Sequence, residues 1–556
     1  MQPRARARRR LRAILVATLA GAATSLLLSC SDGKVQAPGR SFPEGFLWGA
    51  AVAAFQTEMG GGPSSIDSGT DWWVWVHDAS NIAAHRTSGD LPENGPASYE
   101  RFGDDYRLAR SMQLNAYRLS IEWSRIFPQS TAAIAPGGVT SEADLEALDQ
   151  VADHAELDHM RTVLMAARSA GLEPLLTLNH FTLPLWLDDP IATRDAFAAA
   201  GSAGLPSFHA PAGWLDDATV REFAKFAAYA AWKLGDLVDL WATLNEPTVV
   251  VVNGYVNAAG VGGNFPPGAF ALKAVAPLLV NLATAHARAY DAVKRWDTVV
   301  ASTAHGHVLD GQPSVVGLVN NMVAFTPENP DSASDVAGAA HASYLFNQLL
   351  LNATVLGRLD EGLDGDATPD VERPDLGDRM DYVGVNYYLR GRISGLPAPV
   401  DPAVPLLDFL PSITYRWAGA PTAPPCPTEC SEFGSEIYPQ GFHDVLAIAG
   451  AYGRPVLVTE NGIADATDAQ RPAYLVTHLD EVLQAIADHS ADVRGYFHWS
   501  LIDNYEWTAG YLPKFGLAAV DPASKAREPR PSTAIFAEIA GENRLADALV
   551  DRYRSP

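Results

Sequence analysis

The sequence predicts an α/β chain folded as one (β/α)8 barrel, on three observations. Short apolar runs rich in β-branched and aromatic residues recur along the chain; most of them end on a polar or charged tip; and long segments with apolar residues at three- and four-residue spacing lie between them. Strands that alternate with helices and are apolar on both faces are parallel strands, and a closed barrel is the economical way to arrange eight of them.

Taken in order, the strand candidates are FLWGAAVAAF (46–55), NAYRLSIEWSRI (115–126), EPLLTLNHF (173–181), LWATLNEP (240–247), TVVASTAHG (298–306), DYVGVNYY (381–388), RPVLVTENG (454–462) and RGYFHWSLID (494–503). The intervening EFAKFAAYAAWKLGDLV (222–238) and APLLVNLATAHARAYDAVKRW (276–296) carry the amphipathic helical period. Two long connections read as loops over the active face or its rim: 71–99, rich in tryptophan, and 395–434, rich in proline. In such a barrel, chemistry belongs at the carboxyl ends of the strands.

The chain has 556 residues, 9% aromatic and 19% charged, with a formal net charge of −25. This composition is that of a globular protein, and the negative charge makes a nucleic-acid backbone an unfavourable partner. No low-complexity linker divides the chain from Ser41 onward, so one domain over 41–545 is expected, with a tail at 546–556.

The amino terminus reads separately. An arginine-rich start precedes an apolar run from Ala13 to Leu28 that ends in LLSC at Cys30. The run is short for a membrane-spanning helix and suits a secretory signal. The LLSC box resembles a bacterial lipoprotein cleavage site, which implies a signal peptide over 1–29, a lipid on Cys30, a tether over 30–40 and an exported protein held to a membrane through that lipid alone. An uncleaved anchor or a plain signal with a chance cysteine is the alternative. Cys426 and Cys430 are the other two cysteines; in an exported chain a small local disulfide is expected of them.

Two strand tips end in carboxylates: Glu246 in TLNEP and Glu460 in VTENG. Opposed glutamates across one cleft suit glycosidic cleavage, which needs a proton donor on the leaving oxygen and a negative group beneath the developing oxocarbenium carbon. With these motifs the chain resembles glycoside hydrolase family 1, the retaining β-glycosidases with a TIM-barrel fold, over about residues 42–539. The DWWVWVHD and SGDLPENGPASY segments resemble its archaeal-type branch. The resemblance implies Glu246 as general acid/base and Glu460 as nucleophile, supported by Arg118, Asn245, Asn386 and Tyr388. It implies a sugar pocket of Gln56, His180, Phe181, Trp499, Glu506, Trp507 and Phe515. Phe181 stands where many members carry tryptophan, so an indole donor is replaced by a purely apolar ring.

The expected substrate is a β-glycoside or oligosaccharide: terminal β-D-glucosides, with galactosides or fucosides as further candidates, cleaved without cofactor or metal. A catalytically silent sugar-binding protein of the same fold and a transglycosidase are the competing readings. Glu506 argues against a 6-phosphorylated sugar, which it would repel; Lys514 reads as a rim lysine. Glu122 and Glu58 read as members of structural ion pairs, and Trp72, Trp73 and Trp75 either pack a loop or line the entrance.

Overall fold

A computed structural model describes residues 39–201, 205–256, 264–301, 311–363, 371–398 and 408–554. The signal segment, Cys30 and most of the tether lie outside the described residues.

Eight parallel strands close on themselves: β1 (Leu47–Ala51), β2 (Ala116–Ser120), β3 (Glu173–Asn179), β4 (Leu240–Asn245), β5 (Val315–Pro327), β6 (Tyr382–Gly395), β7 (Val456–Asn461) and β8 (Val493–Trp499). The circuit runs in chain order throughout, with β5 paired to β6 and β8 returning to β1. Leu47, Leu175, Leu240, Val319, Tyr382, Leu457 and Phe497 fill the barrel interior, so its lower part is a packed core and the site is confined to the top.

The fifth strand differs from the sequence reading. TVVASTAHG is not β5: Val299 and Val300 are each 48% exposed just past a helix end, and 302–306 lie outside the described residues. The strand is VVGLVNNMVAFTP, whose central Asn320 and Asn321 interrupt the apolar period that would have marked it. Strand ends also shift. Ala54–Thr57 and Trp123–Ile126 are helical turns where longer strands were expected, because each strand stops once it passes the barrel rim.

The tryptophan-rich connection is ordered helix in part. Asp71–His77 is helical, with Thr70 capping it by accepting from the Trp73 amide at 3.0 Å. Trp72 and Trp75 are buried, and Trp72 packs 4.5 Å from the Trp507 ring, so these indoles buttress the site from behind. In the proline-rich connection, Phe409–Ser412 pairs antiparallel with the end of β6, and Cys426 and Cys430 form a disulfide.

Both ends of the expected single domain run further than the sequence suggested. Gly39–Ser41 pairs antiparallel with Arg544–Ala546, and Asp547–Tyr553 is a helix that buries Val550. Asn543 holds this closure: its amide accepts from the Trp48 indole at 2.9 Å and donates to Phe42 O at 3.0 Å.

Candidate active site

Glu246 follows β4 in the left-handed region at φ 48°, a conformation rare for a non-glycine residue, with Pro247 opening the next helix, α1 (Pro247–Tyr255). Its amide donates to Val319 O of β5 at 2.8 Å, which fixes the turn. Glu460 lies within β7, in register with Asn386 of β6. Asn386 is in turn in register with Asn321 of β5. The strand pairing therefore sets two amides side by side beneath Glu246.

Those amides and one arginine join the two acids in a circuit of bonds. Arg118, on β2 and fully buried, pairs with Glu460 Oε1 through Nη1 and donates from Nη2 to Asn245 Oδ1 at 2.6 Å. Asn386 Nδ2 reaches Asn245 Oδ1 at 3.3 Å and Glu246 Oε1 at 2.7 Å. Asn321 Nδ2 donates to the same Glu246 oxygen at 3.0 Å. Thr459 orients Asn386 by donating to its Oδ1 at 2.7 Å, and Thr177 accepts from Arg118 Nε at 3.2 Å. The Tyr388 hydroxyl donates to Glu460 Oε2.

The environments of the two acids differ. Arg118 and Tyr388 place a cation and a hydroxyl donor on Glu460. Glu246 meets only neutral amides. Burial first, and then the charge of Glu460, push its carboxyl up to about 7. Because both amides use Oε1, its Oε2 is left to carry a proton.

The sugar-pocket candidates gather beside this pair. His180 is buried, and burial with the Arg118 charge hold its imidazole well below the usual range, so it is neutral. Asn245 Oδ1 is taken by Arg118, so Nδ2 faces His180 Nε2 at 3.1 Å as donor. Nε2 then accepts, and the proton belongs on Nδ1, which finds no partner among the described residues. Gln56 Oε1 is likewise buried without a partner there, while its Nε2 donates to Tyr505 O at 2.9 Å and reaches Glu506 Oε2 at 3.4 Å. One orphaned donor and one orphaned acceptor suit sugar hydroxyls, which both give and take hydrogen bonds.

Glu506 stands partly exposed at the pocket wall, and burial with the charges of Glu460 and Glu246 pushes it up to about 8. At neutral pH it can donate as well as accept. Trp499 and Trp507 lie near-parallel to the His180 ring, at 6.0 and 5.9 Å, and Phe181 meets Trp507 edge-on at 5.0 Å. Phe515 closes the far wall against Tyr388 and Phe433. His180, Phe181, Asn245, Glu246, Tyr388, Glu460, Trp499, Glu506, Trp507 and Phe515 line one cavity of about 400 Å³, and Gln56, Arg118 and Asn386 are bonded to lining residues from outside it.

One expectation changes, one holds and one open choice is resolved. Glu122 is not in an ion pair: its carboxyl accepts from the Phe55 amide at 3.1 Å and the Thr182 hydroxyl at 2.7 Å, locking the loop that carries Phe181 to the turn that carries Gln56. Glu58 is in one, 3.0 Å from Arg125 Nε. None of Trp72, Trp73 and Trp75 lines the cavity. The sequence reading missed Asn321, Thr459 and Thr177; the adjacent asparagines inside the apolar run of β5 were the available signal. Among the described residues no cluster of His, Cys, Asp and Glu could hold a metal ion, and no helix is long and apolar enough to cross a membrane.

Comparison with known proteins agrees with this geometry. The model of the family described as glycosyl hydrolase family 1 matches residues 39–193 and 205–545. A β-galactosidase of Pyrococcus woesei is 40% identical over 518 residues, covering 90% of this chain and 97% of that protein. A β-galactosidase of Saccharolobus solfataricus is 38% identical over 520 residues, covering 92% and 97%. Among solved structures, the β-glycosidase of Thermosphaera aggregans superposes with a TM-score of 0.77 at 35% identity, covering 92% of this chain and 99% of that one.

Proposed function

The chain belongs to glycosyl hydrolase family 1 and is a β-glycosidase, an O-glycoside hydrolase of the β-glucosidase type; from that premise we propose that Glu460 is its nucleophile and Glu246 its acid/base. The observation that carries this assignment is the circuit Glu460–Arg118–Asn245–Asn386–Glu246, which holds two carboxyls at one cavity in opposite surroundings.

The reaction has two displacements. Glu460 attacks the anomeric carbon while the Glu246 Oε2 proton passes to the glycosidic oxygen and the carbon–oxygen bond breaks. Ionised Glu246 then takes a proton from water, whose oxygen attacks the same carbon and releases Glu460. Configuration is retained because the centre inverts twice. Gln56, His180, Glu506 and Trp507 hold the sugar's hydroxyls over Trp499, and terminal β-D-glucosides are the proposed substrates, with β-galactosides and β-fucosides accepted alongside. The signal over 1–29 and the LLSC box support export and lipid attachment at Cys30.

A panel of nitrophenyl β-glycosides tests the activity and ranks the sugars. Glu460→Ala should abolish turnover, and azide should restore it with an α-glycosyl azide as product, the single inversion left to that variant. Turnover unchanged by Glu460→Ala would refute the assignment. Cys30→Ser should move the protein from the detergent phase to the aqueous phase in a phase-partition assay; an unaltered partition would remove the lipid proposal.

A further inference from the structure

The cavity is chemically two-sided, and Glu246 stands on the seam. On one side lie the groups that suit a sugar: His180, Asn245, Glu506 and the tryptophans. On the other, the wall is hydrocarbon. Helix α1 and its C-cap contribute Val249, Val251, Val252 and Val256. Four consecutive valines are a poor choice for a helix on propensity alone. Val251 is buried and Val249 and Val252 are partly exposed, and all three border the cavity. Facing them are Phe325 at the end of β5, Leu345 and Phe346 on the following helix, and Phe409 and Ile413 from the proline-rich connection.

The polar side chains on that side are largely engaged within the protein. Asn321 is bonded to Glu246; Ser431 Oγ accepts from the Phe433 amide at 3.3 Å and the Ser435 amide at 3.2 Å; and the Tyr474 hydroxyl accepts from Asn461 Nδ2 at 2.9 Å. Among the described residues no Lys, Arg or His side chain lines this part of the cavity. A second sugar ring would have to leave hydroxyls unpaired against valine and phenylalanine, at a penalty a hydrocarbon does not meet.

We propose that this wall binds the leaving group, and that the preferred substrates are amphiphilic β-glycosides with an extended hydrocarbon aglycone. The inference rests on reading Glu246 as the residue that protonates the leaving oxygen, because that places the leaving group on the apolar side of the seam.

The test is a homologous series of alkyl β-D-glucosides from methyl to octyl, run beside cellobiose and nitrophenyl β-D-glucoside on the full enzyme. Specificity, kcat/KM, should climb by about two- to fourfold per added methylene, carried mostly by KM, until the tail outgrows the cavity. Octyl glucoside should exceed cellobiose. Val252→Asn and Leu345→Asn should each flatten the slope, read as the octyl-to-methyl ratio within one preparation so that a loss of folded enzyme cancels. A flat series, or cellobiose preferred over octyl glucoside, overturns the proposal while nitrophenyl glucoside turnover leaves the catalytic assignment standing. A slope that survives both substitutions overturns this wall as its site. No turnover of any glycoside would instead fail the underlying reading.

Discussion

At the scale of single residues, the decisive contrast is between two glutamates of one chemical type. Glu460 is given a guanidinium and a phenolic hydroxyl, whereas Glu246 is given two carboxamides and a charged neighbour. The first step needs Glu246 protonated, and its carboxyl is pushed up to about 7. Specificity for alkyl glycosides should therefore fall roughly tenfold per pH unit above that value. In Glu246→Gln this alkaline limb should vanish, with kcat/KM on an unactivated leaving group reduced by about 10²- to 10⁴-fold. A pH profile of kcat/KM for wild type and variant checks both; a limb that persists in Glu246→Gln would assign it to another group. The TLNEP and TENG stretches made the two acids legible in the sequence. Their unequal surroundings were less so, because half of the partners of Glu246 come from Asn321 on a strand the sequence reading misplaced.

At the scale of elements, backbone geometry positions the chemistry. Gly462 follows Glu460 and Asn461 at the end of β7, and a Cβ there would stand 1.7 Å from the carbonyl oxygen of Trp499. No side chain fits between β7 and the end of β8 at this point, which is a physical reason for the glycine in TENG. Gly462→Ala should push Trp499 away from the sugar floor. A displacement of about 1 Å at a reacting centre can cost on the order of 10²-fold in kcat/KM. The loss should appear with nitrophenyl glucosides at near-native far-ultraviolet circular dichroism; full activity would show that β7 and β8 tolerate separation. Asn461 adds to this junction, donating to Tyr387 O at 2.7 Å and sharing 2.9 Å bonds with Tyr474 and Tyr496. Strand existence was legible for seven of the barrel strands because their runs stay rich in apolar, β-branched and aromatic residues around single polar positions such as Arg118 and Asn386. The β5 run carries Asn320 and Asn321, so the function it serves disguised the element that serves it.

At the scale of the whole molecule, buried acids set the pH response of stability. Besides Glu246, burial raises Glu58 and Asp71 to about 7, and Glu122 and Asp297 to about 8. An acid whose folded value lies above its unfolded value of about 4 binds more protons when folded, so it lowers stability as pH rises between those two values. The net charge of −25 adds self-repulsion in the same direction. Buried histidines held below their usual range, among them His180 and His286, work the other way up to about pH 6.5, so the melting temperature should fall from about pH 6.5 to pH 8, and Glu246→Gln should lessen that fall. Differential scanning calorimetry across this range decides it; a melting temperature that rises toward pH 8 would contradict the burial argument.

The sequence by itself determined the barrel class and pointed to two strand-end acids, because strand period and strand-end polarity are local properties of the chain; the walls of the candidate sugar pocket came from the resemblance of short motifs to a family. Only the tertiary structure decided which strand is the fifth and that Arg118 reaches both Glu460 and Asn245. It also decided that two amides, from β5 and β6, converge at Glu246, and that the wall beyond Glu246 is hydrocarbon. Those facts depend on register between strands far apart in the chain and on which face of a helix meets a cavity, and neither is encoded in any single stretch of residues.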